Sequence, residues 1–524
     1  MTRSTLAAWA ACFLLLLAGP AAESRAGQPH VLFIAIDDLR PELGCYGSPV
    51  VRSPNLDALA AEGVRFEHAY CQYSQCNPSR ASLLTGLRPD STRVYDQTTD
   101  FRNRIPGATT LPQLFKQSGY ATIGMGKIFH SERDDPQSWN AYLSTDADGA
   151  AYLTPENQAL VQKKYEQAVA QGLTGAALAA ATRGPATEAA DAPESSYHDG
   201  QIADMAIQVL EHYRNGTLPR HLQQQGINPD GVQAESDRPL FLALGFRKPH
   251  LPFVAPRKYW DLYQRNSLPL AENPFPPDGA PEWALTNFFE LRNYHDMPGT
   301  GPLTDAQARL LRHGYYACVS FVDAQVGRVL DRLDALGMRD DTIVVVWGDH
   351  GWKLGEHASW SKHTNFELDT RSPLIIHAPR FGRGGFATGL VELVDIYPTL
   401  AELCGLSPPW YIQGTSLVPL LENPRRSWKT AAFSQVLRTD KTRATMGYSM
   451  RTDQWRFTAW VHPNNRHQVF ARELYRHTGS GGENVNVVDQ ADPLLIEALE
   501  RQLWSGWKTS LPEGVSPPAR RRSR

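Results

Sequence analysis

Short apolar runs that stop abruptly restrict the fold of this chain more than any other feature. Val31 to Ile36 reads VLFIAI, Ala121 to Met125 ATIGM, Phe241 to Phe246 FLALGF, Thr342 to Trp347 TIVVVW and Leu374 to Ala378 LIIHA. Each is short, continuous and bounded by Pro, Gly or charge, so each reads as a strand covered on both faces, the environment of a parallel sheet. Helical signals lie between them. Pro54 to Leu59 opens one helix and Leu111 to Ser118 forms another. From Thr304 to Leu336, Leu311, Tyr315, Val319, Val322, Val326, Val329, Leu333 and Leu336 recur at helical spacing, with a Thr304/Gln307 capping box at the start and Gly337 past the end. Strands alternating with helices imply an α/β fold, a mostly parallel central sheet with helices on both faces.

Two stretches interrupt the alternation. Residues 141–192, rich in Ala, Gln and Gly, and 263–303, rich in Pro, Asn and Gly, read as long surface excursions. Beyond about residue 428 the pattern turns to shorter strands, Met446 to Met450 and Arg456 to Val461, and a helix from Pro493 to Leu503. The expected organisation is a leader over 1–26, a main α/β domain over 27–427, a smaller C-terminal subdomain over 428–515 and a disordered basic tail over 516–524. The leader rests on Arg3, the apolar run from Leu6 to Ala18, then Gly19, Pro20 and small residues, with cleavage expected after Ala22 or Ala26. That run is too short to span a bilayer. The mature chain is therefore expected to be exported, periplasmic or secreted, with no membrane partner. With 52 Lys+Arg against 55 Asp+Glu and a net charge of −3, there is no basic field for nucleic acid or an anionic membrane. Any anionic ligand must meet a local cluster. The 6 cysteines are too few for a disulfide scaffold, and none has zinc-site spacing.

In open α/β sheets, chemistry collects at the carboxyl ends of strands. There the sequence places Asp37-Asp38 after the first strand and Asp349-His350 after TIVVVW. Adjacent carboxylates repel each other unless a cation neutralises them. Hard oxygen donors favour Ca2+ or Mg2+, while His350 is a softer partner that leaves the metal open. The most specific stretch is Cys76-Asn77-Pro78-Ser79-Arg80, continuing to Leu83-Leu84-Thr85-Gly86. Pro78 suits a first helical turn, which puts Cys76 at a helix N-terminus, where free N–H groups favour an anion. Arg80 adds a planar cation for a tetrahedral oxyanion.

C-x-P-S-R followed by L-x-T-G resembles the signature of the sulfatase family, in which a maturase converts the Cys to formylglycine and the hydrated aldehyde is the nucleophile. Asp37 to Pro41, Leu43 to Gly47, Arg88-Pro89-Asp90, Gly126 to His130, Lys248 to Phe253, Asp349 to Trp352 with Lys362, and Met446 to Ser449 look like the iduronate-2-sulfatase branch, in the same order. The resemblance implies the alkaline-phosphatase-like sandwich with a smaller C-terminal subdomain. It implies Asp37, Asp38, Asp349 and His350, with the modified Cys76, as a metal shell, usually for Ca2+. Arg80, Lys127 and Lys362 would meet the sulfate oxygens. His250 would protonate the leaving sugar oxygen, a task suited to a group titrating near neutrality, and His130 would help the sulfated diol collapse to the aldehyde. The substrate implied is a uronic acid 2-O-sulfate in a sulfated glycan, its carboxylate met by Lys441, Arg443 or Arg371. Alternatives are a sulfatase for another sugar or a choline-type sulfate, a phosphatase or phosphonate hydrolase of the same superfold, and a non-catalytic binder of sulfated glycans.

Overall fold

The computed structural model describes residues 27–130, 134–145, 151–228, 238–286, 289–381, 384–439, 443–477 and 482–516. The expected leader and, but for Ser516, the expected tail lie outside these residues, as does Lys441.

Every apolar run read as a strand is one. With three further strands they form an eight-stranded sheet: β1 (His30–Ile36), β2 (Val64–Tyr70), β3 (Ala121–Gly126), β4 (Ala141–Leu143), β5 (Leu240–Phe246), β6 (Thr342–Gly348), β7 (Leu374–His377) and β8 (Gly385–Glu392). The order is β8-β2-β7-β6-β1-β5-β3-β4. All neighbours pair parallel except β7, which runs antiparallel to both β6 and β2. Trp347 at the end of β6 pairs with Leu374 at the start of β7. The intervening chain stays at the carboxyl edge and returns directly, so no crossover is needed. LIIHA is thus a buried strand of the opposite sense to the parallel one expected. β4 corrects a second expectation, since the stretch 141–192 begins as an edge strand of the sheet instead of lying wholly on the surface.

The alternation along β1 divides the core. Leu32, Ile34 and Ile36 pack on one face against α4 (His198–Arg214) and α5 (Asp305–Ala335), whereas Val31, Phe33 and Ala35 pack on the other against α2 (Cys76–Thr85), α3 (Leu111–Gln117) and α6 (Ile396–Leu403). The first helix, α1 (Pro54–Glu62), joins the α5 side through Leu56 and Leu59. α5 has the capping box read from Thr304 and Gln307. None of the helices among the described residues is long and apolar enough to cross a membrane.

The C-terminal part is an antiparallel meander of β9 (Ala432–Thr439), β10 (Ala444–Arg451), β11 (Trp455–His462) and β12 (Asn465–Arg476). Against it packs α7 (Pro493–Ser505), whose Leu499 and Leu503 join Met446, Met450, Phe457 and Leu474. The meander is fastened to the main sheet's loops by buried charge. Glu367 Oε2 accepts from Arg456 NH2 at 2.6 Å and Arg451 Nε at 3.2 Å, and Glu483 Oε1 accepts from Arg456 Nε at 2.6 Å.

Candidate active site

The sheet order places the carboxyl ends of β6, β1, β5 and β3 side by side. From them extend Asp349-His350, Asp37-Asp38, His250 and Lys127 with His130. α2 enters the same edge with Cys76 as its first residue, and every residue of that helix is buried. Ser79 Oγ donates to Asp349 O at 2.5 Å, tying the helix to the end of β6. Asp38 adopts a left-handed backbone (φ 59°). Such strain survives only where neighbours over-determine it. Here Asp38 N–H donates to Asp349 Oδ1 at 3.1 Å and Tyr315 O–H donates to Asp38 O at 2.8 Å.

The charges interlock. Arg80, fully buried, donates through Nε to Asp349 Oδ2 at 2.9 Å and through NH2 to Asp37 Oδ1 at 3.1 Å, so it fixes two of the carboxylates. Lys127 Nζ meets Asp37 Oδ2 at 2.5 Å, and Lys362 Nζ meets Asp38 Oδ1 at 2.7 Å. Burial alone would raise Asp37, but Lys127, His250, Arg80 and Lys362 hold it well below the usual carboxylate range. Asp38 goes the other way. Burial, reinforced by Asp37, Asp349 and Glu290, pushes it well above that range despite Lys362. Around Asp38 the balance is local and uneven, burial and three carboxylates standing against the single ammonium of Lys362.

That imbalance fits a divalent cation. Asp37, Asp38, Cys76 and His250 present donor atoms within 4.8 Å of one another, as do Cys76, Asp349 and His350. The ring of His350 donates from Nδ1 to Gly351 O at 2.9 Å, which leaves Nε2 as a lone pair 3.3 Å from Cys76 Sγ and 3.4 Å from Asp38 Oδ1. This is the tautomer a metal ligand requires. The sequence reading did not place His250 near the metal donors; the structure does.

Burial first, then Asp37, pushes the Cys76 thiol well above its ordinary range, so the unmodified side chain is a poor nucleophile at neutral pH. His250 departs from expectation. Burial and then Lys362 push it down to about 3, so it is neutral in the free protein instead of titrating near neutrality. Its Nδ1 donates to Leu251 O at 2.7 Å, which turns Nε2 toward the pocket. His130 is likewise pushed down to about 3, by burial and then Lys127, and its buried Nδ1 has no hydrogen-bond partner among the described residues.

The groups expected to meet a carboxylate fare differently. Arg371 is engaged with β2, Nε donating to Glu67 O at 2.6 Å and NH2 standing 3.6 Å from Glu67 Oε2, so it is not available as the carboxylate partner expected of it. Arg443 is clamped between the rings of Trp283 and Phe470, 4.4 and 4.3 Å from their centroids. Sequence reasoning missed Glu290 altogether. It comes from the stretch 263–303, read as a surface excursion, yet Oε1 lies 3.3 Å from His250 Nε2 and Oε2 3.6 Å from Lys362 Nζ. Burial opposes its charge, but Lys362, His250 and Arg183 hold it well below the usual carboxylate range. No periodicity or motif marks Glu290, because only the folding of the excursion over the strand ends gives it a role.

Comparison with known proteins identifies the family. The sulfatase family model matches residues 29–406, and a model for the N-sulphoglucosamine sulphohydrolase C-terminal region matches 355–506. Human iduronate 2-sulfatase is 34% identical, covering 87% of this chain and 90% of its own, and choline-sulfatase of Rhizobium meliloti is 31% identical over 76% and 73%. Among solved structures, a phosphonate monoester hydrolase from Silicibacter pomeroyi superimposes with a TM-score of 0.67 at 22% identity, covering 93% of this chain and 96% of its own. An enzyme solved with D-glucosamine-2-N,6-O-disulfate as its substrate gives 0.66 at 21%, over 91% and 99%. These last two share the alkaline-phosphatase-like fold. The match across the main domain, joined to a full-length likeness to iduronate 2-sulfatase, means that this chain belongs to the sulfatase family and is a sulfuric ester hydrolase.

Proposed function

We propose that the enzyme removes a 2-O-sulfate from a uronic acid in a sulfated glycan, with a formylglycine made from Cys76 as nucleophile and a divalent metal beside it. The observation that carries this reading is the setting of Cys76: a thiol held away from its reactive form, at a helix N-terminus, among carboxylates, Arg80 and two ammonium groups. An aldehyde hydrate in the same place would supply the hydroxyl nucleophile that the thiol does not. The substrate class is carried over from the human and mouse relatives named iduronate 2-sulfatase.

Asp37, Asp38, Asp349, His350 and the modified Cys76 would hold the cation, Ca2+ or Mg2+. When bound, it would polarise the sulfuryl oxygens and lower the proton affinity of the adjacent hydroxyl. Arg80 keeps Asp37 and Asp349 in register. Lys127 and Lys362 turn their ammonium groups to the sulfate oxygens, where charge develops as the S–O bond breaks. His250, neutral in the free protein, gains proton affinity as the anionic ester enters and gives that proton to the leaving sugar oxygen. His130 serves the proton movement that frees inorganic sulfate. The enzyme is exported, and a maturase acts on it.

The test uses enzyme co-expressed with a formylglycine-generating maturase. Peptide mass spectrometry should find aldehyde oxygen in place of sulfur at Cys76, and Cys76→Ala should abolish turnover. Among uronate 2-sulfates, 6-sulfated hexosamines, choline sulfate and an aryl sulfate, the uronate ester should give the highest kcat/KM. An unmodified thiol in fully active enzyme would sink the mechanism, and preference for choline or hexosamine esters would sink the substrate.

A further inference from the structure

A uronate 2-sulfate carries two anions on one ring, the ester at C2 and the carboxylate on C5, across the ring from it. Lys127, Lys362 and Arg80 are committed to the sulfate and its neighbouring carboxylates, so a further cation must receive the uronate carboxylate. Of the groups suggested by the sequence, Arg371 pairs with Glu67, Arg443 sits over Trp283 and Phe470, neither of them a group assigned to the chemistry, and Lys441 lies outside the described residues.

Arg183 answers the description. It comes from the other excursion, 141–192, and reaches the site through Glu290. NH1 donates to Glu290 O at 3.2 Å and stands 3.9 Å from Glu290 Oε1. The guanidinium lies over the Tyr294 ring, 4.8 Å from its centroid, and the Arg183 carbonyl accepts from Lys164 Nζ at 2.7 Å. Stacked beneath and anchored behind, it still leaves 30% of its side chain exposed. The Glu290 carboxylate thus lies among Arg183, His250 and Lys362, linking the groups assigned to sulfur chemistry with a guanidinium just outside them.

We propose that Arg183 receives the carboxylate of the uronate, in the place that the side chain of Glu290 takes in the free protein. A planar guanidinium matches a carboxylate through paired N–H donors, and a stacked one loses little freedom in doing so. Two carboxylates do not share that place without strong repulsion, so Glu290 turns outward as the ester enters. The inference rests on the reading of the substrate as a uronate 2-sulfate.

The experiment measures kcat and KM of matured enzyme on three esters: a uronate 2-sulfate, the matching hexose 2-sulfate without the carboxylate, and an aryl sulfate. Arg183→Ala is expected to lower kcat/KM on the uronate ester roughly ten- to hundredfold, mostly through KM, and to spare the other two. Arg183→Lys should recover part of the loss, and it also serves if the alanine variant melts early. Glu290→Gln should lower KM for the uronate ester, because a competing anion is gone; a higher KM would overturn the place-holding role. Equal losses on all three esters, or a selective loss with Arg443→Ala and none with Arg183→Ala, would overturn the assignment of Arg183 while leaving the substrate intact. Wild-type enzyme active on the aryl sulfate and inert on every uronate 2-sulfate would bring down the substrate reading and this inference with it.

Discussion

His130 resists protonation because burial, and then the neighbouring Lys127, disfavour its cation. In the unfolded chain the same imidazole titrates near 6.5. As pH falls below that value the unfolded state binds the proton and the folded state does not, so stability is lost from about pH 6.5 down toward pH 3. His130→Gln should remove this contribution, shrinking the acid-induced loss of unfolding free energy by on the order of 1–3 kcal/mol. Urea unfolding at pH 7, 5 and 4 checks it: a variant that loses as much as the wild type would place the acid sensitivity elsewhere. At this scale the sequence was informative where a residue sits in a recognisable block. Cys76, Arg80, Lys127 and Asp349 each lie within a few residues of a strand end or helix start, and the fold leaves them there. Glu290 and Arg183 belong to excursions whose path depends on long-range packing, and nothing in their neighbours announces where they end up.

Strand ends are the working elements of this protein. The ends of β1 and β6 bring Asp37, Asp38 and Asp349 together, and Asp38 in particular keeps more negative surroundings than Lys362 balances. A bound dication should therefore stabilise the native state by about 3–4 kcal/mol at 100–1,000 times its dissociation constant. Exhaustive chelation should lower the melting temperature and activity together, and Ca2+ should restore both; indifference of both would count against the metal. A different element isolates folding from chemistry. Thr304→Ala removes the solvent-exposed capping box of α5 and should cost about 1 kcal/mol in urea unfolding while leaving kcat unchanged. The boundaries of α5 and of the buried strands were legible because continuous apolar runs and helical periodicity are local signals. The sense of β7 was not, since a fully buried run looks alike in either direction. β2 and β8 were missed for a simpler reason: their exposure is mixed along the strand, and VRFEHAY interleaves charge with apolar residues.

Across the whole molecule, the joint between the main sheet and the C-terminal meander is a buried ionic knot. Arg456, 1% exposed, is shared by Glu367 from the main domain's loops and by Glu483. Removing one partner of such a set strands the others without compensation. Arg456→Ala should thus cost about 3–5 kcal/mol, seen as a lower midpoint in urea, and Arg456→Lys should cost less. Persistence of the wild-type midpoint in Arg456→Ala would mean the meander is held by its apolar contacts alone.

The complete burial of Cys76 also fixes an order of events in time. Cys76 is 0% exposed in the folded chain, so on the proposed mechanism conversion to the aldehyde belongs before the end of β6 closes against its helix. The end of β6 arrives late, because Ser79 is tied to Asp349, 270 residues further along the chain. At ordinary rates of synthesis that separation leaves roughly 15–50 s between the emergence of the two segments. On that mechanism, whether a given molecule is ever active is decided once, during its manufacture, and a chain that closes unconverted stays inactive until it unfolds.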